Sequence, residues 1–271
     1  MNSINVNSQI IEYSRHQFLY GKNNNERRIF LTEAVQNYPI KFNEDMPTAI
    51  YIDEIGLPKV ESKSSNTLDE IRINRLAMTY LEFSIAYNIM KRILEETSQT
   101  HIDCEKFTDS MKIMMSEGSK NTINTLEQFR DALKYSMDFY KQYYEDYLST
   151  GETKLRIDDL DIPFLVDLEV FIRRLHRTTK NNSFFSIILD KKKDIALPSV
   201  KAINGLLNSR CNALLSIKVA CEPGEWETYK DFSGSIVESV HDYGEIELDD
   251  SFRQYIEKIR KSYNFSFDER E

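Results

Sequence analysis

Five short segments of the chain carry the hydrophobic patterns of β-strands, and polar residues bound them. The third and fourth segments are continuous apolar runs, typical of strands that are buried on both faces of a parallel sheet. Between them, the apolar residues of 200–208 recur at helical spacing. The pattern therefore predicts a strand, a helix and a second parallel strand at the centre of the fold. The five predicted strands are residues 16–20, 49–52, 184–189, 214–219 and 245–248.

Helices are predicted after the first strand and before the third. Residues 21–25 are turn-forming, and apolar residues then recur at helical intervals from Ile29 to Tyr38. Ahead of the third strand, Asp161 is suited to cap a helix and Pro163 to lie in its first turn. That helix ends in four cations that either form a solvated face or contact phosphate; they are Arg173, Arg174, Arg177 and Lys180.

Two long helices are predicted between the second and third strands. Each carries an apolar stripe spaced as in a heptad repeat, and about 30 residues would extend about 45 Å. They are expected to form an antiparallel hairpin with a short helix over residues 104–115 near its tip. Because the two stripes can bury each other without the sheet, we expect the hairpin to be a binding arm outside the core. The stripes are Leu76, Tyr80, Phe83, Tyr87, Met90 and Leu94, and Ile123, Leu126, Phe129, Leu133, Met137, Tyr140, Tyr144 and Tyr147.

The predicted domain organisation follows from these elements and from the polar linker at residues 62–66. Residues 1–61 would form the first part of an α/β domain, 62–157 a helical-hairpin insertion, and 158–271 the second part with a C-terminal helix at 251–263. A chain of 271 residues with 41% hydrophobic residues can bury such a core. Only 8 Gly and 6 Pro argue against a loop-rich β protein.

The charge and the cysteines narrow the function classes. A net charge of -9 disfavours general affinity for a nucleic-acid backbone. Cys104, Cys211 and Cys221 follow no disulfide or metal-binding spacing, which suits a reducing compartment. No signal-like stretch opens the chain, and no apolar run approaches the roughly 20 residues of a spanning helix. A cytoplasmic protein without a membrane partner is therefore expected.

Three stretches read ALPSVKAINGLLNSR, SIKVACEPGEW and HDYGEIELD. They look like the helix, the sensor strand and the fifth strand of AAA+ ATPases, and they resemble especially the origin-recognition-complex-like branch in bacteria. With the order of the elements, the resemblance covers about 16–55 and 162–250. It implies a P-loop NTPase-like α/β fold, in which a parallel sheet of about five strands is flanked by helices and the long helical hairpin is inserted.

The resemblance places a phosphate-binding loop at Gly21, Lys22, Asn23, Asn24, Asn25 and Arg27. A working P-loop reads G-x-x-x-x-G-K-[ST], because backbone amides wrap the phosphate, the Lys meets the terminal phosphates and the hydroxyl binds magnesium. Aligned on Gly21, this chain has Glu26 for the second Gly, Arg27 for the Lys and Arg28 for the Ser or Thr. Lys22 is either a second route to phosphate or an exposed loop lysine. The loop is therefore predicted to be degenerate.

Two further positions follow from the resemblance. Asp190 ends the third strand as the magnesium-binding Walker B acid does, although it could equally cap a turn. Lys191 stands where the acid that orients the attacking water would be, and the run 191–193 is expected to be solvated. Arg210 ends a helix where AAA+ subunits often present an arginine finger to a neighbour's nucleotide; the alternative is a surface arginine. His241 and Cys221 are interpreted as structural.

The resemblance implies a regulatory or assembly subunit of a multi-protein complex, without its own NTP hydrolysis, in a DNA-associated or anti-phage system. Its partner would be an ATPase, a nuclease-type subunit or a second copy of the chain. Two other interpretations stay open. One is an active ATPase that uses Lys22 or Arg27 in an unusual loop, with ATP and magnesium as cofactors. The other is a scaffold without nucleotide.

Overall fold

The computed structural model describes five strands and six helices. No helix in the described part of the chain is long and apolar enough to cross a membrane. The described residues are 6–21, 24–40, 44–53, 55–60, 70–97, 108–109, 111–112, 123–150, 167–181, 183–191, 194–208, 214–239 and 241–249.

The strands form one parallel sheet in the order β2-β3-β4-β1-β5. This sheet, with helices on it, confirms the predicted P-loop NTPase-like α/β fold. Every residue of β3 and β4 is buried, as the continuous apolar runs predicted. The fifth strand begins at Tyr243, slightly earlier than predicted. The strands are β1 His16–Tyr20, β2 Thr48–Ile52, β3 Phe185–Asp190, β4 Leu215–Cys221 and β5 Tyr243–Glu247.

Helices cover both faces of the sheet. Alternate strand residues point to opposite faces, so Phe18 and Ile217 join the larger apolar cluster and Leu19 and Ala220 the smaller one. The larger cluster includes α3, α4, α5 and α6, and the smaller one includes α1 and α2. The helices are α1 Val6–Ile11, α2 Asn24–Gln36, α3 Glu70–Thr97, α4 Leu126–Thr150, α5 Leu168–Thr179 and α6 Leu197–Asn208.

The two long helices, α3 and α4, run antiparallel. The Arg72 guanidinium, at the start of α3, lies 5.4 Å from the ring centre of Tyr147, near the end of α4. Further along α3, the ring of Phe83 stacks on Tyr140 with centroids 5.5 Å apart. Rising numbers on one helix thus meet falling numbers on the other, as in the predicted hairpin. Of the short helix predicted at its tip, only residues 108, 109, 111 and 112 are described.

The hairpin is not an arm outside the core, so that expectation is wrong. Besides α4, α3 contacts α6 and β2. Leu81, Ile85 and Ile89 lie off the heptad stripe, yet they are buried in the same cluster as the sheet residues. A helix that is apolar on several sides is a core helix. The domain boundaries at 62–157 stay a prediction.

The helix before β3 is capped by a different acid from the predicted one. Asp167 is the N-cap of α5, and its carboxylate accepts a hydrogen bond from the Val170 amide at 3.1 Å. Asp161, Pro163 and the predicted closing helix at 251–263 lie outside the described residues. Arg173 pairs with Glu169 on the exposed side of α5, which agrees with a solvated face.

A buried lysine fastens the segment before β1 to the sheet. Lys218, on β4, is fully buried, and its ammonium donates to the carbonyl oxygens of Tyr13 and Arg15, each at 2.6 Å. Burial lowers the pKa of Lys218 well below its ordinary value. No local pattern predicts that this lysine of an apolar strand is buried and bonded to the segment before β1.

The core position of α3 can be tested with two isoleucines of that helix. Ile85 is fully buried off the heptad stripe, whereas Ile71 is 81% exposed. We expect Ile85→Ala to lower the free energy of unfolding by about 2 to 5 kcal/mol, because it leaves a cavity in the shared core. Ile71→Ala should change it by less than about 0.5 kcal/mol. Urea unfolding of both variants measures these changes in free energy. Equally small changes would support a hairpin that does not belong to the core.

Candidate functional site

The candidate site lies where the carboxyl ends of β1, β3 and β4 meet. In open α/β sheets this edge is the usual ligand position. The hydrogen bonding of the sheet continues one residue past the strands: the Gly21 amide donates to the Cys221 carbonyl at 3.1 Å, and the Lys191 amide donates to Ala220 at 2.8 Å. The residues that follow β1 and β3 are therefore held in fixed positions beside the end of β4.

Arg27, in the first turn of α2, fills the space between these strand ends. Its Nε donates to Asp190 Oδ1 at 2.9 Å, and one terminal nitrogen donates to the Gly21 carbonyl at 2.7 Å. The other terminal nitrogen donates to Asn24 Oδ1 at 2.5 Å and to the Lys191 carbonyl at 3.1 Å. The Arg27 side chain is only 1% exposed. One guanidinium thus joins the loop after β1, the helix α2 and the end of β3.

Asp190 has both carboxylate oxygens engaged within the protein. Oδ1 accepts from Arg27, and Oδ2 accepts from the Tyr51 hydroxyl at 2.5 Å. The side chain of Asp190 is fully buried. Burial, followed by the hydrogen bond to Asp190, raises the pKa of Tyr51 above its ordinary value. The carboxylate is therefore held by a cation on one side and a neutral hydroxyl on the other.

Lys191 is buried and not solvated, which corrects the expectation for this residue. Its side chain is 1% exposed, and its ammonium donates to the Glu225 carbonyl at 2.9 Å. The Glu225 carboxylate lies 3.6 Å from the same nitrogen. A second oxygen of that carboxylate accepts from the Glu222 amide at 3.1 Å. The residue after Asp190 therefore ties β3 to the loop after β4; residues 192 and 193 lie outside the described part.

These contacts do not fit a magnesium–nucleotide complex bound as in a working P-loop. Such a complex needs a carboxylate oxygen available for the ion and a cation available for the phosphates. Here the Asp190 carboxylate and the Arg27 guanidinium satisfy each other. Glu26, in the same turn as Arg27, adds a negative charge on the exposed side of α2.

The structure brings only some of the predicted site residues together. Gly21, Asn24, Arg27 and Asp190 form one hydrogen-bonded network, in which Asn24 is half-buried, while Asn25 is exposed on α2. The other predicted residues, Lys22, Asn23 and Arg210, lie outside the described residues.

The two residues interpreted as structural differ in exposure. Burial raises the pKa of the Cys221 thiol to about 12, which agrees with a core residue. His241 is exposed.

Sequence reasoning missed two residues of the network, Tyr51 and Glu225. Tyr51 and Ala49 are two residues apart and point to the same face of β2, the face that α2 covers. The residue paired with Tyr51 on β3 is Ile188, which lies two residues before Asp190. That placement becomes visible only when β2 is known to neighbour β3. Glu225 lies in an irregular loop after β4, and no periodic pattern marks its approach to Lys191.

A family model described as ORC-CDC6-like matches residues 30–266 of the chain. The match begins within α2, after Arg27, and covers β2 to β5, including Asp190 and Lys191. No curated protein matches the chain. Gly21, Asn24 and Arg27 precede the match and are therefore interpreted from their own contacts.

The Tyr51 hydrogen bond can be tested with a conservative pair of variants. We expect Tyr51→Phe to lower the free energy of unfolding by about 1 to 3 kcal/mol, because a buried carboxylate oxygen loses its donor. Tyr135→Phe, at a position that is 64% exposed, is the control and should change little. Chemical unfolding of both variants, alone and combined with Asp190→Asn, measures the coupling energy between Tyr51 and Asp190. If Tyr51→Phe lowers the free energy of unfolding by the same amount with Asp190 and with Asn at position 190, the hydrogen bond does not contribute to stability.

Proposed function

The chain belongs to the ORC-CDC6-like family, whose domains are of the AAA+ type, and from this premise we propose that it is a regulatory or assembly subunit without NTP hydrolysis of its own. In this role the domain contributes a binding surface, and any catalysis is carried out by other subunits of a multi-protein complex. The proposal rests on the network around Asp190.

The engagement of Asp190 is the single observation that carries the proposal. Phosphoryl transfer in P-loop enzymes depends on a metal ion held by this acid and on cations placed against the phosphates. Asp190 instead accepts hydrogen bonds from Arg27 and Tyr51, with its side chain fully buried. Releasing it for a metal would leave the Arg27 guanidinium as a buried and unpaired charge, which costs several kcal/mol.

The position of Lys191 supports the same conclusion. An acid at this place would orient the attacking water, but the chain has a cation that is turned towards Glu225. An ammonium ion cannot accept the proton of an attacking water. Both the metal position and the position that activates water are therefore occupied by structural contacts.

The two alternatives are separated by the same network. An ATPase with an unusual loop would place Lys22 or Arg27 against the phosphates. Lys22 lies outside the described residues, and Arg27 makes four N–H···O hydrogen bonds within the protein. A scaffold that binds no nucleotide is compatible with every contact at the site. It is the second candidate function, and it differs from the first only in whether nucleotide regulates the partner.

The partner is proposed to be a protein, such as an ATPase, a nuclease-type subunit or a second copy of the chain, in a DNA-associated or anti-phage system. The family resemblance supports this process, and the net charge of -9 favours a protein over nucleic acid. Arg210 stays a predicted arginine finger for such a partner. Co-purification with the native chain would identify the partner.

Hydrolysis can be measured on the purified chain. With ATP or GTP and magnesium, we expect phosphate release no faster than the background rate, because the metal and water positions are occupied by side-chain contacts. Calorimetric titration with the same nucleotides then separates a regulatory nucleotide site from a scaffold. Turnover that disappears in a folded Asp190→Asn variant would contradict the proposal and favour the ATPase.

A further inference from the structure

The Arg27 guanidinium lies in a cage of oxygen atoms that four different residues provide. The acceptors are the carbonyl oxygens of Gly21 and Lys191, the amide oxygen of Asn24 and a carboxylate oxygen of Asp190. An arginine has five N–H donors in a fixed planar arrangement, and four N–H···O contacts are made here. The cage is thus a cation site that is already occupied by a side chain.

The cage suits a planar cation better than a compact one. The four acceptors are reached from three different nitrogens of one guanidinium, because the donors point in fixed, divergent directions. A lysine ammonium would offer three donors from a single atom and could not reach the same set. Arg27 and Asp190 also balance in charge, which a buried ion requires.

The acceptor atoms belong to three parts of the fold that a nucleotide bound in a P-loop would contact. The cage joins the residue after β1, the first turn of α2, and the end of β3 with the residue that follows it. We infer that Arg27 is a permanent internal cation that replaces the magnesium–phosphate ligand of a P-loop and keeps these elements assembled without nucleotide. The partner-binding domain is then organised without nucleotide.

The inference deepens the proposed function, on which it rests for the view that the domain works without hydrolysis. It adds a ligand class for the site, a guanidinium cation. When the side chain is removed, the cage should accept a free guanidinium ion from solution. This gives a test that depends on the chemistry of the cage and needs no partner protein.

The test compares the thermal unfolding of Arg27→Ala with that of Arg28→Ala, its exposed neighbour on α2. Arg27→Ala should lower the midpoint by on the order of 10 °C, since it leaves a buried carboxylate without its cation. Guanidinium chloride, far below its denaturing range, should restore part of this loss, while equal sodium chloride or urea should not. Arg27→Lys should recover little, and Arg28→Ala should match the unmodified chain.

Three results would overturn the inference: a midpoint for Arg27→Ala equal to that of Arg28→Ala, no recovery with guanidinium, or recovery with magnesium and ATP instead. If Arg27→Ala does not fold, Asp190→Asn decides. It keeps an acceptor oxygen but removes the charge, so an unchanged midpoint contradicts the inference and a lowered one supports it. Failed guanidinium rescue leaves the proposed lack of hydrolysis intact, whereas measured NTP turnover refutes the proposed function whatever the melting data show.

Discussion

The buried ion pair between Arg27 and Asp190 constrains the whole carboxyl edge of the sheet. Neither charge can be removed from water alone without a cost of several kcal/mol, so each requires the other. The pair lies 2.9 Å apart, with both side chains inaccessible to solvent. Because one residue belongs to α2 and the other to β3, the pair constrains the position of this helix relative to the strand.

The apolar packing explains why the fold can persist while the chemistry at its edge changes. The two clusters on opposite faces of the sheet contain Phe18 and Ile217 on one side and Leu19 and Ala220 on the other. None of these residues depends on a nucleotide. The side chains at the strand ends can therefore make internal contacts without disturbing this packing, as Arg27 and the pair of Lys191 and Glu225 do. The fold of the family is therefore compatible with the nucleotide-free site that we propose.

The sequence predicted the strands well and the partners of polar residues poorly. Apolar runs report burial directly, so β3 and β4 were found from continuous patterns such as that ending at Asp190. The contact of Tyr51 with Asp190 depends on the neighbour relation of β2 and β3, which no local pattern encodes. The heptad stripe on α3 lies largely in the core, but a heptad pattern does not reveal that residues on other sides of the helix, such as Ile85, are buried as well. Lys191 is predicted to be solvated because a run of three lysines usually is, but its side chain is buried.

Nuclear magnetic resonance of the Arg27 side chain tests the central claim most directly. In ¹H–¹⁵N spectra, the Nε–H of Arg27 should be protected from exchange with water, because it donates to a buried carboxylate. The claim predicts that excess magnesium and ATP leave this signal unshifted and protected. A shift of the signal, or its loss to solvent exchange on adding magnesium and ATP, would show that the guanidinium leaves Asp190 and that the nucleotide position is open.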